Sequence, residues 1–185
     1  MSILKIARLG HPILQKIASP VDNFKDPEIK KIINDMIDTL DDAGGIGLAA
    51  PQIHVSKRIV IFFVPEDRLE NGKNKVELTI MINPKIEPKN DMMNRDWEAC
   101  LSIPNLMGAV DRYSHIKYSW YDVDGEYFER EASGYHSRVV QHECDHLDGK
   151  LYPFQMLDLS LLGFQEEINS NKDLLDKGRS LPSEI

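Results

Sequence analysis

The sequence predicts an α+β domain: antiparallel strands packed around a central helix, with one further helix towards each end. Three observations carry that expectation. Apolar residues recur at 3- and 4-residue steps in separate stretches, and short β-branched and aromatic runs lie between them. Strands and helices also fail to alternate in the regular way that a parallel sheet requires.

The first helix is expected over Asp26 to Ala43, where Ile29, Ile32, Ile33, Met36, Ile37 and Leu40 share one face. Asp26-Pro27 supplies an N-cap followed by a proline in the first turn, and Gly44-Gly45 ends the helix. Arg58 to Val64 and Val76 to Ile82 read as buried strands, with the polar segment 66–75 and its Asn71-Gly72 pair turning the chain between them. Ile116 to Val123 and Glu126 to Ala132 flank Asp124-Gly125, a two-residue hairpin signal. After Ser133-Gly134 the spacing becomes helical through Val139, Val140, Cys144 and Leu147, and Gly149 stops it. Leu157 to Leu175 predicts a terminal helix. One domain over 1–176 with a tail at 177–185 follows.

Composition narrows the function. At 185 residues the chain is long enough for a real core. A net charge of −8 argues against direct nucleic-acid binding, which needs clustered Lys and Arg to neutralise phosphates. No run approaches the roughly 20 apolar residues that span a bilayer, and the first residues lack the character of a targeting peptide. A cytoplasmic protein without membrane contact is the expectation. Two cysteines, Cys100 and Cys144, are too few for a disulfide scaffold.

The richest stretch is His142-Glu143-Cys144-Asp145-His146. Residues four apart on a helix face the same way, so both imidazoles can converge on one divalent ion while Glu143 reaches water beside it. A polar, solvated helix face carrying two histidines would read the same. A catalytic site of this type needs a third protein ligand, and Cys100, in the loop-like stretch Glu98 to Pro104, is the best candidate. The third feature is Gly45-Ile46-Gly47-Leu48-Ala49-Ala50-Pro51-Gln52. It matches neither a phosphate loop nor a dinucleotide fingerprint. Its small residues would let a bound chain approach the backbone, with Gln52 as a polar tip.

Taken in order, Gly45–Gln52, Glu98–Ser102 and Gln141–His146 resemble the three motifs of the peptide deformylases, and Gly10-His11-Pro12-Ile13-Leu14 extends the similarity over about residues 3 to 155. The resemblance implies that Cys100, His142 and His146 bind one divalent metal ion. Fe2+ is the family's usual ion, and Zn2+, Ni2+ or Co2+ also suit the donor set. It further implies Glu143 as general base and proton shuttle, and Gln52 with the Leu101 amide as donors to the formyl oxygen. Ile46, Gly47 and Ala99 would line the peptide groove, and Ile46, Tyr135 and Val139 the methionine pocket. The implied reaction is removal of the formyl group from formyl-methionyl nascent polypeptides in a bacterial cytoplasm, during N-terminal processing in protein biosynthesis.

Two departures bear on these expectations. The family's second motif has Gly where this chain has Ala99, which would strain a left-handed backbone but only narrow the groove if the backbone is extended. Some members dock transiently on the ribosome through a basic terminal helix, whereas Glu166, Glu167, Asp173 and Asp176 make this tail acidic. The alternatives are a deformylase-like metal-binding protein with weak or no activity and a zinc metallopeptidase, since His-Glu-x-x-His is shared with that class. Arg138, one turn before His142, is expected to support Glu98 as a partner of the metal ligands. His11, His54, His115 and His136 lack a convergent spacing and read as surface or satisfied core residues. Cys144 reads as packing, Trp120 as a core or strand-face aromatic, and Trp97 as a brace beside the second motif.

Overall fold

Asp26 accepts a hydrogen bond from the Glu28 amide, and Pro27 follows at the first turn, so the chain enters helix α1 (Pro27–Ala43) as expected. Gly44 closes it in the left-handed conformation (φ 63°), a position that favours glycine. The computed structural model describes residues 2–69, 75–171, 173 and 175. Ile29, Ile32, Ile33, Met36 and Leu40 form the buried face of α1. Each such side chain contributes about 1.5–3 kcal/mol of burial free energy.

The strands are β1 (Gly47–Ala49), β2 (Ile59–Val64), β3 (Val76–Pro88), β4 (Met93–Cys100), β5 (Ile103–Tyr113), β6 (His115–Tyr121), β7 (Tyr127–Ser133) and β8 (Leu162–Phe164). Helix α2 spans Gly134–Leu147, and the short α3 spans Gln165–Ser170. One sheet runs β1-β2-β3-β6-β7 and the other β4-β5-β8, with every pairing antiparallel. Helix α2 packs against β1 and β2 of the first sheet and β5 of the second. The expected α+β arrangement around a central helix is the observed one. Among the described residues, no helix is long and apolar enough to cross a membrane.

The structure changes the reading in three places. Strand β3 runs past Ile82 to Pro88 through a bulge at Asn83, whose φ is 52° and whose side chain bonds both the Val21 amide and carbonyl at 2.9 Å. The hairpin β4–β5 is new, and it puts Cys100 at the end of a strand rather than in a loop, paired with Ile103 across a turn at Leu101-Ser102. The helix expected over Leu157 to Leu175 is instead a 3-10 turn (Leu159–Leu161), then β8, then α3. Strand β5 offers an open edge to which Leu162, Gly163 and Phe164 bond opposite Gly108, Met107 and Leu106. That pairing overrides the helical spacing. The predicted Asn71-Gly72 turn and the tail at 177–185 lie outside the described residues.

Candidate metal centre and active site

Helix α2 is buried along most of its length, and each face has a task. Val139, Val140, Cys144 and Leu147 join the large apolar cluster beneath the first sheet. Gln141 locks the helix to the end of β5 by accepting from the Tyr113 amide (3.0 Å) and donating to its carbonyl (2.9 Å). His142, Glu143 and His146, all buried, then face β4 and β1. Cys100 comes to them from the end of β4. The ligand atoms of Cys100, His142 and His146 lie within 4.8 Å of one another. Cys100 Sγ and His146 Nε2 are 3.4 Å apart. A tetrahedral ion with bonds of about 2.3 Å to sulfur and 2.0–2.1 Å to nitrogen needs an edge of roughly 3.5 Å, so the donors fit.

Their orientation is fixed from behind. Glu98 Oε2 accepts from His142 Nδ1 at 2.8 Å, which leaves Nε2 for an ion. Two guanidinium groups hold that carboxylate. Arg112 donates Nε–H and Nη2–H to its two oxygens (2.8 and 3.0 Å), and Arg138 Nη1 donates to Oε1 at 2.8 Å. Arg112 also reaches Asp145 on α2. Arg138 further donates to the carbonyls of Asn94, Asp96 and Val110, tying β4 to β5. The expected Arg138–Glu98 pair is therefore present. Arg112 was not legible, because its distance from Glu98 depends on the β4–β5 register.

Electrostatics follow from these contacts. Burial would raise the Glu98 carboxyl, but bonds from Arg112 and His142 hold it well below the ordinary carboxylate range. Burial opposes protonation of His142, yet its bonds to Cys100 and Glu98 push it well above the imidazole range. His146 is kept neutral by burial and by the charges of His142 and Arg112. Glu143 is pushed up to about 7 by burial, and its Oε2 is buried without a hydrogen-bond partner. Gly47 makes room for that carboxylate, since a Cβ there would overlap it.

Gln52 is fully buried beside this cluster. Its Oε1 accepts from the Ala49 amide at 2.8 Å, which turns its NH2 group towards Ser102 Oγ (3.1 Å) and Cys100 Sγ (3.7 Å). The N-terminal segment steadies both sides, with the Ala7 amide bonded to the Gln52 carbonyl and Leu9 to that of Ser102. A groove of about 390 Å³ opens over the site. Ile46, Gly47, Ala99, Leu101 and Tyr135 line it, as does Trp97. Val139 does not; it is buried in the core cluster against which Ile46 and Tyr135 pack. Leu106, Met107 and Gln165 also line the groove and were not anticipated, since the β4–β5 hairpin and α3 bring them there.

Ala99 is an exposed residue in β4, paired with Met107, and its φ is not positive. The strain that alanine would suffer in a left-handed backbone does not arise. The remaining histidines stay apart from the metal cluster: His136 meets the Tyr118 hydroxyl at 2.9 Å, His115 lies 3.3 Å from Glu131, and His11 and His54 meet edge to face. Cys144 is buried, which raises its thiol pKa and makes it packing. Trp120 stacks between Tyr118 and Phe128. Glu166 and Glu167, the downstream ligands that a peptidase would require, are exposed on α3, outside the metal cluster found among the described residues.

Comparison with known proteins agrees with this geometry. The family model described as polypeptide deformylase matches residues 3–160. Peptide deformylase 1 of Bordetella pertussis is 49% identical over 173 residues, covering 91% of this chain and 98% of that protein. The Met-Ala-Ser-bound class I type b peptide deformylase of Acinetobacter baumannii superposes with a TM-score of 0.76 at 33% identity, over 84% of this chain and 100% of that one. Peptide deformylase from Thermotoga maritima gives a TM-score of 0.75 at 35% identity, over 85% and 100%. The chain belongs to the polypeptide deformylase family.

Proposed function

We propose that the protein hydrolyses the N-terminal formyl amide of formyl-methionyl peptides, releasing formate and a free amine. The observation that carries this reading is convergence. Cys100 from β4 meets His142 and His146 of α2 in one cleft, with Glu143 and the Gln52 amide turned into it. Cys100, His142 and His146 would hold the metal ion; when bound, it supplies acidification of water and polarisation of the formyl carbonyl. Fe2+ is our assignment from the family resemblance, on a donor set that also suits Zn2+, Ni2+ and Co2+.

Glu143, buried and with an oxygen free of hydrogen bonds, takes a proton from the attacking water as the C–O bond forms. The formyl oxygen gains negative charge at that moment, and the Gln52 NH2 group with the Leu101 N–H stabilises it. The C–N bond then breaks, and Glu143 returns its proton to the leaving amine. Strand β1 lies at the edge of one sheet and β4 at the edge of the other, and residues of both line the groove. An extended peptide pairs there as an added strand along Ile46, Gly47 and Ala99. Ile46 and Tyr135 offer apolar surface to the methionine, with Val139 packed behind them. The catalytic domain spans residues 1–176, and the work is done in the cytoplasm on emerging chains. The acids Glu166 and Glu167 on α3 disfavour docking on rRNA, so any ribosome contact is transient.

The test is product analysis with metal-loaded protein and formyl-Met-Ala-Ser. Formate and intact Met-Ala-Ser are expected. Cleavage at an internal peptide bond would replace this reading with a peptidase, and no turnover by metal-loaded protein would replace it with a binding protein.

A further inference from the structure

Among the described residues, the groove's lining carries one Arg or Lys side chain, Arg68. It closes the 3-10 turn Glu66–Arg68 that follows β2, and it is exposed. Its guanidinium carbon stands 5.7 Å from the centroid of the Tyr135 ring, so the aromatic face holds the charge at the groove wall. Glu66 and Asp67 precede it on the same exposed turn, and among the described residues no ion pair ties Arg68 to an acid. Among the described residues, the one carboxylate lining the groove is Glu143, which is buried. Among the described residues that line the groove, a substrate therefore meets one exposed guanidinium and no exposed carboxylate. Guanidinium groups bind carboxylates through paired N–H donors, and stacking on an aromatic ring leaves those donors at the edge free.

We infer that Arg68 is a specificity residue, favouring formyl-methionyl peptides that carry a carboxylate side chain on one of the two residues after methionine. The inference rests on the deformylase reading above. Arg68 touches neither the metal donors nor Glu143, so it acts on the peptide's downstream part and not on the formyl group.

The experiment compares kcat/KM for formyl-Met-Ala-Ser, formyl-Met-Glu-Ser, formyl-Met-Lys-Ser, formyl-Met-Ala-Glu and formyl-Met-Ala-Lys. All are C-terminal amides, so that the peptide's own terminus cannot supply the carboxylate. At one of the two positions the wild type should prefer Glu over Lys by about fivefold, the scale of an exposed charge contact felt once as attraction and once as repulsion. Arg68→Lys should keep the sign of the preference, Arg68→Met should bring the ratio to about one, and Arg68→Glu should invert it. The wild-type ratio should shrink as salt is raised. Turnover with equal rates for Glu and Lys at both positions, or a Glu preference that survives in Arg68→Met, overturns the assignment while leaving the deformylase reading intact. No formate from any of the five peptides overturns both.

Discussion

Replacing Arg138 by methionine tests whether the cluster behind His142 holds the site together. The guanidinium is buried and donates at 2.8 Å to Glu98, 2.9 Å to the Val110 carbonyl, 3.3 Å to that of Asp96 and 2.7 Å to that of Asn94. Methionine fills similar space but donates nothing. Breaking a buried ion pair by removing one partner costs about 3–5 kcal/mol. Glu98 keeps both of its bonds to Arg112, so the lower figure applies. For a chain of this size about 3 kcal/mol lowers Tm by roughly 6–12 °C. Loss of a group supporting a metal ligand costs 10- to 100-fold in metal affinity, and with Arg112 retained about tenfold is expected. The assay is thermal unfolding with and without metal, together with competition against a chelator of known affinity. Arg138→Lys should fall between wild type and Arg138→Met, because it keeps the charge but not the fork of donors. A Met variant with unchanged Tm and unchanged metal affinity would refute the argument that Glu98 needs both arginines.

Three further predictions concern the groove and the reacting atoms. Ala99→Gly should leave kcat/KM within about twofold of wild type, because the backbone there is extended and glycine offers only extra chain freedom; a gain above tenfold would show that the methyl obstructs the peptide. Gly47→Ala should lower kcat by at least about tenfold with metal content unchanged, since the new methyl displaces the Glu143 carboxylate. Wild-type kinetics in that variant would mean Glu143 is not confined as described. Gln52→Ala removes a preorganised donor, so kcat should fall about 10²–10³-fold with KM little changed. A fall confined to KM would make Gln52 a ground-state contact.

The chemistry was legible where it sits in short runs, and the architecture where spacing is local. Helical period puts the two histidines and Glu143 on one side of α2, and the order of the three motifs gave them a role. Asp26, Pro27 and Gly44 mark the ends of α1 by their own backbone preferences. The β4–β5 hairpin was hidden because β4 shows no apolar run: its one buried residue is Glu98, a charge that Arg112 on β5 neutralises. Arg112 and Met107 enter the site only through strand register, which sequence spacing does not encode. The C-terminal region misled in the opposite way. Leu157 to Leu175 carries helical spacing, but the open edge of β5 captures Leu162–Phe164, and only Ile168 of α3 becomes buried. Val139 was placed near the substrate from its closeness to the motifs in the chain, whereas it is buried in the core cluster against which Ile46 and Tyr135 pack.

The most direct test of the central claim is single-turnover hydrolysis of formyl-Met-Ala-Ser by wild type and Glu143→Ala, each loaded anaerobically with Fe2+ or Ni2+ to measured stoichiometry. The account predicts one equivalent each of formate and free amine from the wild type. It predicts a Glu143→Ala protein that keeps its metal on Cys100, His142 and His146 yet loses at least about 10²-fold in rate. A Glu143→Ala protein as fast as wild type at equal metal content would contradict it.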